Sequence, residues 1–548
     1  MSYAVTNPDG TTQNVTTSMP TVRVKPYTTS DKKTQIHGNL SRHFDIGRTR
    51  HTARAGFDHS DYKREQSYDQ YIGTGSGYVY NGADQPFTDF FNTAYTRSLP
   101  GGLGTPETLD SGAIAAFFKA SRDKFIQMNP GNDYVTATNN SKSLHETITA
   151  AYLRLDSHIT PRLLLVYGLR YERTTDKGAG PLVDPTGNYA PDPANPGGYL
   201  NLDGGPLVPG GAGNTGRPLL ANNTNSLIAK QLTYFTRGAH ASRSYGNWFP
   251  SLNANYTILE NLVARLSYSQ TIGRPDIYNV APGMTVPGIE AAAPRFTVTN
   301  PGIAPWKSQN ISLSLELYSG NLGDITLRGY RRWVKNGFVS TIMSAGDPAA
   351  AALLAAYDID LSNWDNAAAA EVSTLRSIDG TIVTSGLELS GRYNLDALLP
   401  AWARGLTVKF SVSRATFSGD DVAAPSFAAQ NMYLLPWSVG GGVSLARKWF
   451  SLSLTGKWND RQQRTYYAPV STFLYEPGTY DYLDATFRLD LDLSVRVTKN
   501  ISLFVNGRDI NGFEEKWLRY GPTAPDLMKG RQMNTFQPVW TLGMTAEF

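Results

Sequence analysis

The most constraining feature of this sequence is a strict alternation of apolar and polar residues near its C-terminus. In LDATFRLDLDLSVRVT, residues 483–498, every odd position is apolar and every even position is polar. A period of two predicts a β-strand with one apolar and one polar face. At about 3.3 Å per residue and a tilt near 40°, such a strand climbs about 40 Å, more than the roughly 25 Å apolar band of an outer membrane. Soluble sandwiches rarely need strands of that length.

The same alternation recurs along the chain with less regularity. It is present in residues 311–317, 406–413, 450–459 and 540–548. Each of these segments has the two-sided character of a strand that is polar on one face and apolar on the other. The sequence therefore predicts an all-β protein built from many long strands.

Composition excludes several other classes of protein. The 548 residues include no cysteine, which excludes a disulfide scaffold, a cysteine-ligated zinc or iron–sulfur site and a thiol nucleophile. A net charge of +4 argues against a general nucleic-acid binder. The longest apolar run, residues 348–357, is far shorter than the roughly 18 residues that a membrane helix needs.

The connections between the predicted strands alternate in length. Short joins and long polar segments follow one another strictly, as expected for an antiparallel transmembrane β-barrel with short periplasmic turns and long extracellular loops. Two long loops carry helical signals, at 108–127 and at 347–357, where Asp347 can cap a helix with Pro348 in its first turn. The short joins are predicted at 45–48, 157–160, 259–261, 319–323, 394–405, 446–448 and 498–500, and the long ones near 65–142, 176–243, 273–303, 341–378, 419–430, 462–478 and 512–535.

The strand count raises the question of how such a barrel closes. Seven strand pairs and a final strand give about 15 strands. The first, 33–44, and the last, 536–548, both enter the periplasmic rim, so they cannot pair antiparallel with each other. We therefore expect an open edge, unless 21–27 supplies a further strand. We also expect residues 1–32 to be irregular, as an extracellular loop of a larger parent, and 33–548 to form a partial barrel.

Several motifs stand in a fixed order in the second half of the chain. They are RPDIYNVAPG (274–283), NPGIAPWKSQNISLSLELYSGNLGDITLRGYRRWVKNGF (300–338), GTIVTSGLELSGRYNL (380–395) and the closing FVNGRDINGF and VWTLGMTAEF. In order and spacing they resemble TonB-dependent outer-membrane receptors. HTARAGFDHS (51–60) and LLLVYGLRYERT (163–174) fit the same family more loosely.

The resemblance implies a 22-stranded barrel plugged by an N-terminal globular domain, with an N-terminal box that engages the TonB complex. It also implies a location in the Gram-negative outer membrane, with membrane lipid and the barrel-assembly machinery as partners. We find no export signal, TonB box or plug in the sequence, and about seven strands fewer than the family has. We therefore interpret the chain as the C-terminal barrel part of a longer receptor.

Charged residues alternate with the apolar ones in 483–498. We predict that the apolar positions face lipid and that the charged ones face the lumen, as a charge ladder against a plug domain or water. Paired acids for glycoside hydrolysis are the alternative interpretation of the aspartates. The predicted lumen-facing residues are Asp484, Arg488, Asp490, Asp492 and Arg496.

Aromatic residues of the first long loop are candidates for ligand contact. Their rings suit stacking on sugar rings or other flat surfaces, and the alternative is that they pack the loop itself. The candidates are Tyr68, Tyr71, Tyr78, Tyr80 and Phe87. At the other end of the chain, Phe548 on its alternating strand resembles the outer-membrane assembly signal read by the barrel-insertion machinery, with a rim anchor as the alternative role.

No pattern in the sequence indicates catalysis or a resident cofactor or metal. The seven histidines lack ligand spacing, the glycines of 73–77 are not followed by a strand-to-helix unit, and no GxSxG elbow is present. We predict a transport receptor that is not an enzyme and that takes up a scarce small molecule, a carbohydrate or a siderophore, with energy from TonB. A passive porin of about 16 strands and a secreted β-rich carbohydrate-active enzyme are the alternatives.

Overall fold

The structure is a computed structural model that describes most of the chain. The described residues are 2–16, 21–23, 27–68, 77–81, 87–92, 108–184, 186–190, 202, 218–287, 291–320, 323–364, 366–377, 380–419, 434–467, 476 and 478–547.

Strands dominate this part of the chain, and the helices are short. The strands are β1 (Ser2–Thr6), β2 (Thr12–Thr16), β3 (Tyr27–Ile46), β4 (Thr49–Tyr68), β5 (Tyr78–Tyr80), β6 (Phe125–Gln127), β7 (Lys142–Thr160), β8 (Leu163–Val183), β9 (Tyr234–Leu259), β10 (Leu262–Gly273), β11 (Met284–Thr285), β12 (Arg295–Val298), β13 (Trp306–Tyr318), β14 (Gly323–Lys335), β15 (Phe338–Ser344), β16 (Glu371–Ser377), β17 (Thr381–Asn394), β18 (Leu406–Gly419), β19 (Trp437–Ala446), β20 (Phe450–Asn459), β21 (Gln462–Tyr467), β22 (Thr479–Leu483), β23 (Thr486–Arg496), β24 (Ile501–Arg508), β25 (Glu514–Tyr520), β26 (Gly530–Thr535) and β27 (Val539–Ala546). The helices are α1 (Ser111–Ala120), α2 (Pro130–Asn140), α3 (Leu227–Thr233), α4 (Ile277–Val280) and α5 (Pro348–Ala356).

Fifteen of these strands form one sheet. Every pairing within it is antiparallel. The strands follow one another in chain order, as β3, β4, β7, β8, β9, β10, β13, β14, β17, β18, β19, β20, β23, β24 and β27. We call this the main sheet, and it confirms the predicted all-β, antiparallel architecture.

The two ends of the main sheet differ as predicted. At one end, which we call the turn end, successive strands are joined by short connections such as residues 47–48 and 260–261. At the other end, the loop end, lie the long segments that contain the smaller sheets and the helices. One predicted turn, 157–160, is displaced, because β7 continues through Thr160 and the chain turns at Pro161, whose fixed φ suits a turn.

The register aligns the apolar residues of neighbouring strands on one face of the main sheet. Leu315 lies opposite Leu327, which lies opposite Leu389. We call the face that carries these residues the apolar face and the opposite one the polar face. Large side chains of the apolar face are exposed, among them Leu40, Phe57, Leu153, Trp248, Leu313, Leu387, Val443, Leu454 and Leu542. In water, leaving so much apolar surface uncovered would be unfavourable by about 25 cal/mol per Å².

The polar face carries charged side chains that pair across strands. Arg265 lies 2.9 Å from Glu316, and Arg328 lies 3.7 Å from Glu388. These pairs are partly exposed, so each contributes little to stability. They show that, along these strands, the period of two seen in the sequence places the ion pairs on the face opposite the aligned leucines.

The predicted single strand over 483–498 is wrong in extent. β22 ends at Leu483 and pairs with β21 and β25 in a separate sheet, whereas β23 begins at Thr486 and pairs with β20 and β24. Between them, the Asp484 amide donates to the Lys516 carbonyl at 2.9 Å. The alternation continues across this change of partner, because a period of two reports the local backbone and not the strand to which it is paired.

Four smaller sheets and the helices lie at the loop end. The sheets have the strand orders β1-β2, β5-β6, β11-β12-β16-β15 and β21-β22-β25-β26. Both predicted loop helices are present: Asp110 caps α1 through the Ala113 amide, and Asp347 caps α5 through the Ala349 amide. Within the described ranges, no helix has the length and apolarity to cross a membrane.

The largest cluster of buried apolar side chains is also at the loop end. It joins the β11-β12-β16-β15 sheet to α5, and Phe296 and Val372 in its centre are fully buried. Phe296 and Trp364 pack edge to face, with ring centroids 5.1 Å apart. We call this cluster the loop core.

The N-terminal segment differs from the irregular segment expected over 1–32. β1 and β2 form a hairpin whose Val5 and Val15 pack with Val79. Val22 exchanges backbone hydrogen bonds with Tyr78 at 2.8 and 2.9 Å, so this part of the proposed extra strand 21–27 joins the loop end and not the main sheet. β3 begins at Tyr27, earlier than expected. The assignment of this segment to an extracellular loop stays a prediction.

The two outermost strands of the main sheet run in the same direction. β3 and β27 both pass from the loop end to the turn end, and no hydrogen-bonded ladder joins them in the part of the chain that the structure describes. This arrangement agrees with the expected open edge, because strands running the same way cannot pair antiparallel.

Candidate ligand-binding site

The β21-β22-β25-β26 sheet places a cluster of tyrosine and arginine side chains at the loop end. Its central strand β22 has the sequence TYDYL, in which tyrosines alternate with Asp481. Alternation sends Tyr480 and Tyr482 to one face of this sheet and Asp481 to the other. The register then adds Tyr520 to the tyrosine face, since it lies opposite Tyr480.

The three tyrosines form a nearly continuous aromatic surface. The rings of Tyr482 and Tyr520 are stacked, with centroids 4.4 Å apart and planes 12° apart, and Tyr480 lies 6.4 Å from Tyr482. We call Tyr480, Tyr482 and Tyr520 the tyrosine platform. All three side chains are half-buried, so part of each ring remains accessible.

Two cations lie beside the tyrosine platform. The Arg461 guanidinium donates to the Tyr520 hydroxyl at 2.9 Å, and it also pairs with Asp484 at 2.9 Å. The Lys529 ammonium lies 4.7 Å from the centre of the Tyr520 ring. A cation at this distance from an aromatic ring is attracted by its π electrons.

The opposite face of this sheet holds the cluster in place. The Asp481 carboxylate is 1% exposed and pairs with Arg519 at 2.8 Å and with Arg531. The Tyr467 hydroxyl donates to Asp481 at 3.0 Å, and its ring lies 3.8 Å from the Arg519 guanidinium carbon. Two guanidinium groups around one buried carboxylate satisfy its charge, as a buried acid requires.

Burial keeps the phenols of this cluster protonated. It raises the pKa of Tyr467, and the hydrogen bond to Asp481 raises it further. Burial also raises the pKa of Tyr482. At neutral pH both groups are therefore neutral phenols that can donate hydrogen bonds.

The predictions from the sequence did not include the tyrosine platform. They placed the aromatic candidates in the first long loop and took residues 462–478 as an undivided connection. The sequence does contain a signal for it. Tyr480 and Tyr482 flank Asp481, a spacing that places both tyrosines on one face of a strand, directly before the alternating segment 483–498.

The predicted ligand-contact residues lie elsewhere, and two of them are inaccessible. Tyr78 and Tyr80 are fully buried, where they pack with Phe90 and Phe125. These two residues therefore have the alternative role, which is to pack the loop itself. Tyr68 is half-buried and stacks on Tyr27, with ring centroids 5.6 Å apart. The predicted residues Tyr71 and Phe548 and the side chain of Phe87 lie outside the described residues.

The predicted lumen-facing residues are divided between two places. Asp484 directly follows β22 of the β21-β22-β25-β26 sheet, which we call the small sheet, and pairs there with Arg461. Asp490 and Asp492 lie 3.3 and 3.5 Å from the Arg508 guanidinium on β24. Arg488 lies 3.9 Å from Asp509 and 3.9 Å from the ring centre of Phe513, and Arg496 is exposed near the turn end. Their orientation toward a lumen stays a prediction.

A second polar network is centred on Arg274, in the first of the quoted motifs. Its guanidinium pairs with Glu172 and lies 3.5 Å from Glu146. Glu172 also pairs with Arg170 at 3.0 Å, which reaches Asp58 at 3.4 Å. These contacts fasten the segment after β10 across the polar face of β7 and β8, so we assign the network a structural role.

Glycine permits the close approach of that segment to β8. A Cβ built on Gly178 would lie 2.9 Å from the Cα of Ala281, and one on Gly180 would overlap the carbonyl oxygen of Pro282. The backbone after α4 therefore lies directly on the polar face, where only glycine leaves room for it.

Sequence comparison identifies the family of a chain with this architecture. The family model described as "TonB dependent receptor-like, beta-barrel" matches residues 2–510. The chain belongs to this family. Its members are outer-membrane transport proteins of Gram-negative bacteria, which confirms the resemblance seen in the motifs. No curated protein sequence matches the chain.

Solved structures with a similar fold are receptors of the same family. The ferric-catecholate import receptor Fiu from E. coli K12, in its closed form, is 12% identical, with a TM-score of 0.53. A mutant of the ferric enterobactin receptor PfeA from Pseudomonas aeruginosa, in complex with enterobactin, is 15% identical, with a TM-score of 0.51. The unliganded ferric citrate transporter FecA is 12% identical, with a TM-score of 0.51.

The chain is shorter than these receptors. In each comparison 95% of this chain is covered, against 55% of the other chain. At these identities the similarity establishes the fold of the TonB-dependent receptor barrel and not its ligand.

Proposed function

We propose that this chain is the barrel part of an outer-membrane receptor that binds an anionic iron chelate with planar aromatic rings and imports it with energy from TonB. The observation that carries the proposal is the tyrosine platform with Arg461 and Lys529 beside it. Aromatic faces stack on flat ligands, and guanidinium and ammonium groups pair with anionic oxygens.

Two accessible cations beside the rings support an anionic ligand. The carboxylate of Asp481 is buried on the far side of the small sheet, so a ligand on the tyrosine platform does not meet it. The accessible charges beside the rings include Arg461, whose side chain is 46% exposed, and Lys529, whose side chain is 28% exposed. Each cation also has an acidic neighbour, since Arg461 pairs with Asp484 and Lys529 lies 2.5 Å from Asp526. An anionic ligand would compete with these two carboxylates for the cations.

Related receptors support the same class of ligand. Fiu is named for ferric catecholates, and PfeA was crystallised with enterobactin. Chelates of this kind carry aromatic rings and a negative charge. The rings match the tyrosine platform, and the charge matches the two cations beside it. Coupling to TonB would run through a plug domain, as the family resemblance implies.

A binding measurement on the folded chain tests this proposal. The full chain, folded in zwitterionic detergent, is titrated with the iron(III) complex of 2,3-dihydroxybenzoate and, separately, with maltoheptaose, while tyrosine and tryptophan fluorescence is recorded. We expect saturable binding of the iron complex and none of the neutral sugar. Tyr482→Ala should weaken binding about 3- to 10-fold, because it removes the central ring of the stack.

Tyr318→Ala is the matched control. Tyr318 is a partly exposed tyrosine at the turn end, where it donates to Glu316, so its loss should leave ligand affinity unchanged. Binding of maltoheptaose in place of the iron complex, or equal effects of the two substitutions, would overturn the proposal.

A further inference from the structure

Two lysines face each other directly on the apolar face of the main sheet. Lys307 on β13 lies opposite Lys335 on β14. Lys307 and Lys335 occupy odd positions, like Leu315 and Leu327, so they project from the apolar face. They lie in the half of their strands nearer the loop end. Both side chains are exposed.

This pair of like charges is unfavourable unless an anion neutralises it. Directly opposed residues of an antiparallel pair have Cβ atoms about 4.5–5.5 Å apart, and like charges in that position are destabilising. Within the described ranges, neither lysine forms an ion pair with a carboxylate. On the polar face, by contrast, Arg265 and Arg328 each have an acidic partner on a neighbouring strand.

A cavity lies beside these two lysines and could hold an anionic group. The ladder between β9 and β10 ends at Ser251 and Ser269, next to Pro250, which has no amide hydrogen to continue it. Beyond that point the strands separate around a cavity of about 540 Å³. Its lining includes Trp248, Ile272 and Trp333 together with Lys307 and Lys335. The cavity therefore combines apolar walls with two cations.

The same face carries more cations in the half of the main sheet nearer the loop end. Lys32 lies opposite Lys63, Lys63 opposite His145, and His145 opposite Lys177, which makes one row across four strands. His145 is paired with Asp61 at 2.6 Å, while Lys32, Lys63 and Lys177 are exposed. In an outer-membrane barrel this level is where the apolar face gives way to the lipid headgroups.

We propose that the cavity formed by Trp248, Trp333, Lys307 and Lys335 binds the phosphate-bearing headgroup of a lipid in the surrounding membrane. The apolar wall contacts the acyl chains or sugar faces, and the two ammonium groups pair with phosphate oxygens. The site lies on the face opposite the polar face, and it shares no residue with the tyrosine platform.

Lipid retention by the folded chain tests the proposal. The full chain in zwitterionic detergent is mixed with bisphosphorylated lipid A, with phosphatidylcholine or with inorganic phosphate, and bound lipid is quantified by native mass spectrometry. The structure leads us to expect preferential retention of lipid A. The double variant Lys307→Ser/Lys335→Ser should weaken that binding about tenfold or more, and Lys307→Arg/Lys335→Arg should retain it.

The matched control removes the same charge from the polar face. Lys409 and Lys457 are exposed there, on β18 and β20, and Lys409→Ser/Lys457→Ser should leave lipid binding unchanged. Equal losses in the two double variants would show a general charge effect and overturn the proposal. So would displacement of lipid A by inorganic phosphate at the same concentration, or equal retention of phosphatidylcholine. Migration of unheated and heated samples on gels verifies that each variant is folded.

Discussion

Large apolar side chains are exposed in the main sheet and buried in the loop core. In the main sheet, leucines such as Leu313 and Leu387 are 54% and 56% exposed, although they are aligned by register into one apolar face. In the loop core, Phe296 and Val372 are fully buried. Leu354 of the loop core is also buried, so leucine is exposed in one region and enclosed in the other. The difference indicates two solvents, with lipid around the main sheet and water around the loop end.

The largest expected effect concerns the loop core. Phe296→Ala should destabilise it by about 3–5 kcal/mol, because the ring is fully buried and its removal leaves a cavity. The main sheet should remain assembled, since Phe296 contributes nothing to its ladders. Limited proteolysis should therefore cut the loops of the variant faster while the heat-modifiable form of the main sheet persists. Loss of the heat-modifiable form would show that the two regions are not independent.

A charge on the apolar face should have a slightly smaller effect. Leu389→Arg is expected to cost about 2–4 kcal/mol of folding free energy in lipid vesicles, because the charge would lie in the apolar band. The neighbouring Ser390 projects from the polar face, and Ser390→Arg should be nearly neutral. Urea titration of vesicle-folded protein measures both. Equal costs for the two arginines would contradict the assignment of the faces.

Removal of the buried carboxylate should loosen the small sheet beneath the tyrosine platform. Asp481→Asn leaves Arg519 and Arg531 without their shared anion, and we expect a loss of about 1–3 kcal/mol in local stability. Hydrogen exchange of the β22 and β25 amides should rise while exchange in β13 and β14 stays constant. Unchanged exchange in β22 would mean that Asp481 does not hold this sheet.

The smallest effect is a pH dependence of the loop end. Burial raises the pKa of Tyr357, which accepts a hydrogen bond from the Gly283 amide at 3.1 Å. Because the folded state favours the neutral phenol, its contribution to stability is complete below the ordinary tyrosine pKa near 10. It is lost as the pH rises above that value. Tyr357→Phe should flatten the alkaline fall in thermal stability of the loop core. A variant that falls as steeply as the parent would contradict this role.

Local patterns were sufficient to predict much of the fold. The turns around 47–48 and 260–261 and the caps of α1 and α5 follow from alternation, turn residues and capping side chains, all of which act over a few residues. The failures involve partners distant in the chain. The break at Asp484 depends on the pairing of β22 with β21 and β25. The hairpin of β1 and β2 is itself local, but its packing against Val79 is not visible in the sequence.

The candidate site was predicted less well for the same reason. Tyr78 and Tyr480 have similar surroundings in the sequence, each next to another aromatic at a spacing of two. Tyr78 is buried because α1 and Phe125 cover it, whereas Tyr480 remains accessible on its small sheet. Accessibility depends on these long-range contacts, which a single sequence does not contain.

The central claim is that the apolar face of the main sheet meets lipid and the polar face does not. The absence of cysteine allows single cysteines to be placed along β23, from Phe487 to Val495, and labelled with a nitroxide. In vesicles, accessibility to oxygen should peak at the odd positions, and accessibility to a water-soluble nickel chelate should peak at the even ones. The reverse pattern, or the same accessibility at all positions, would contradict the account.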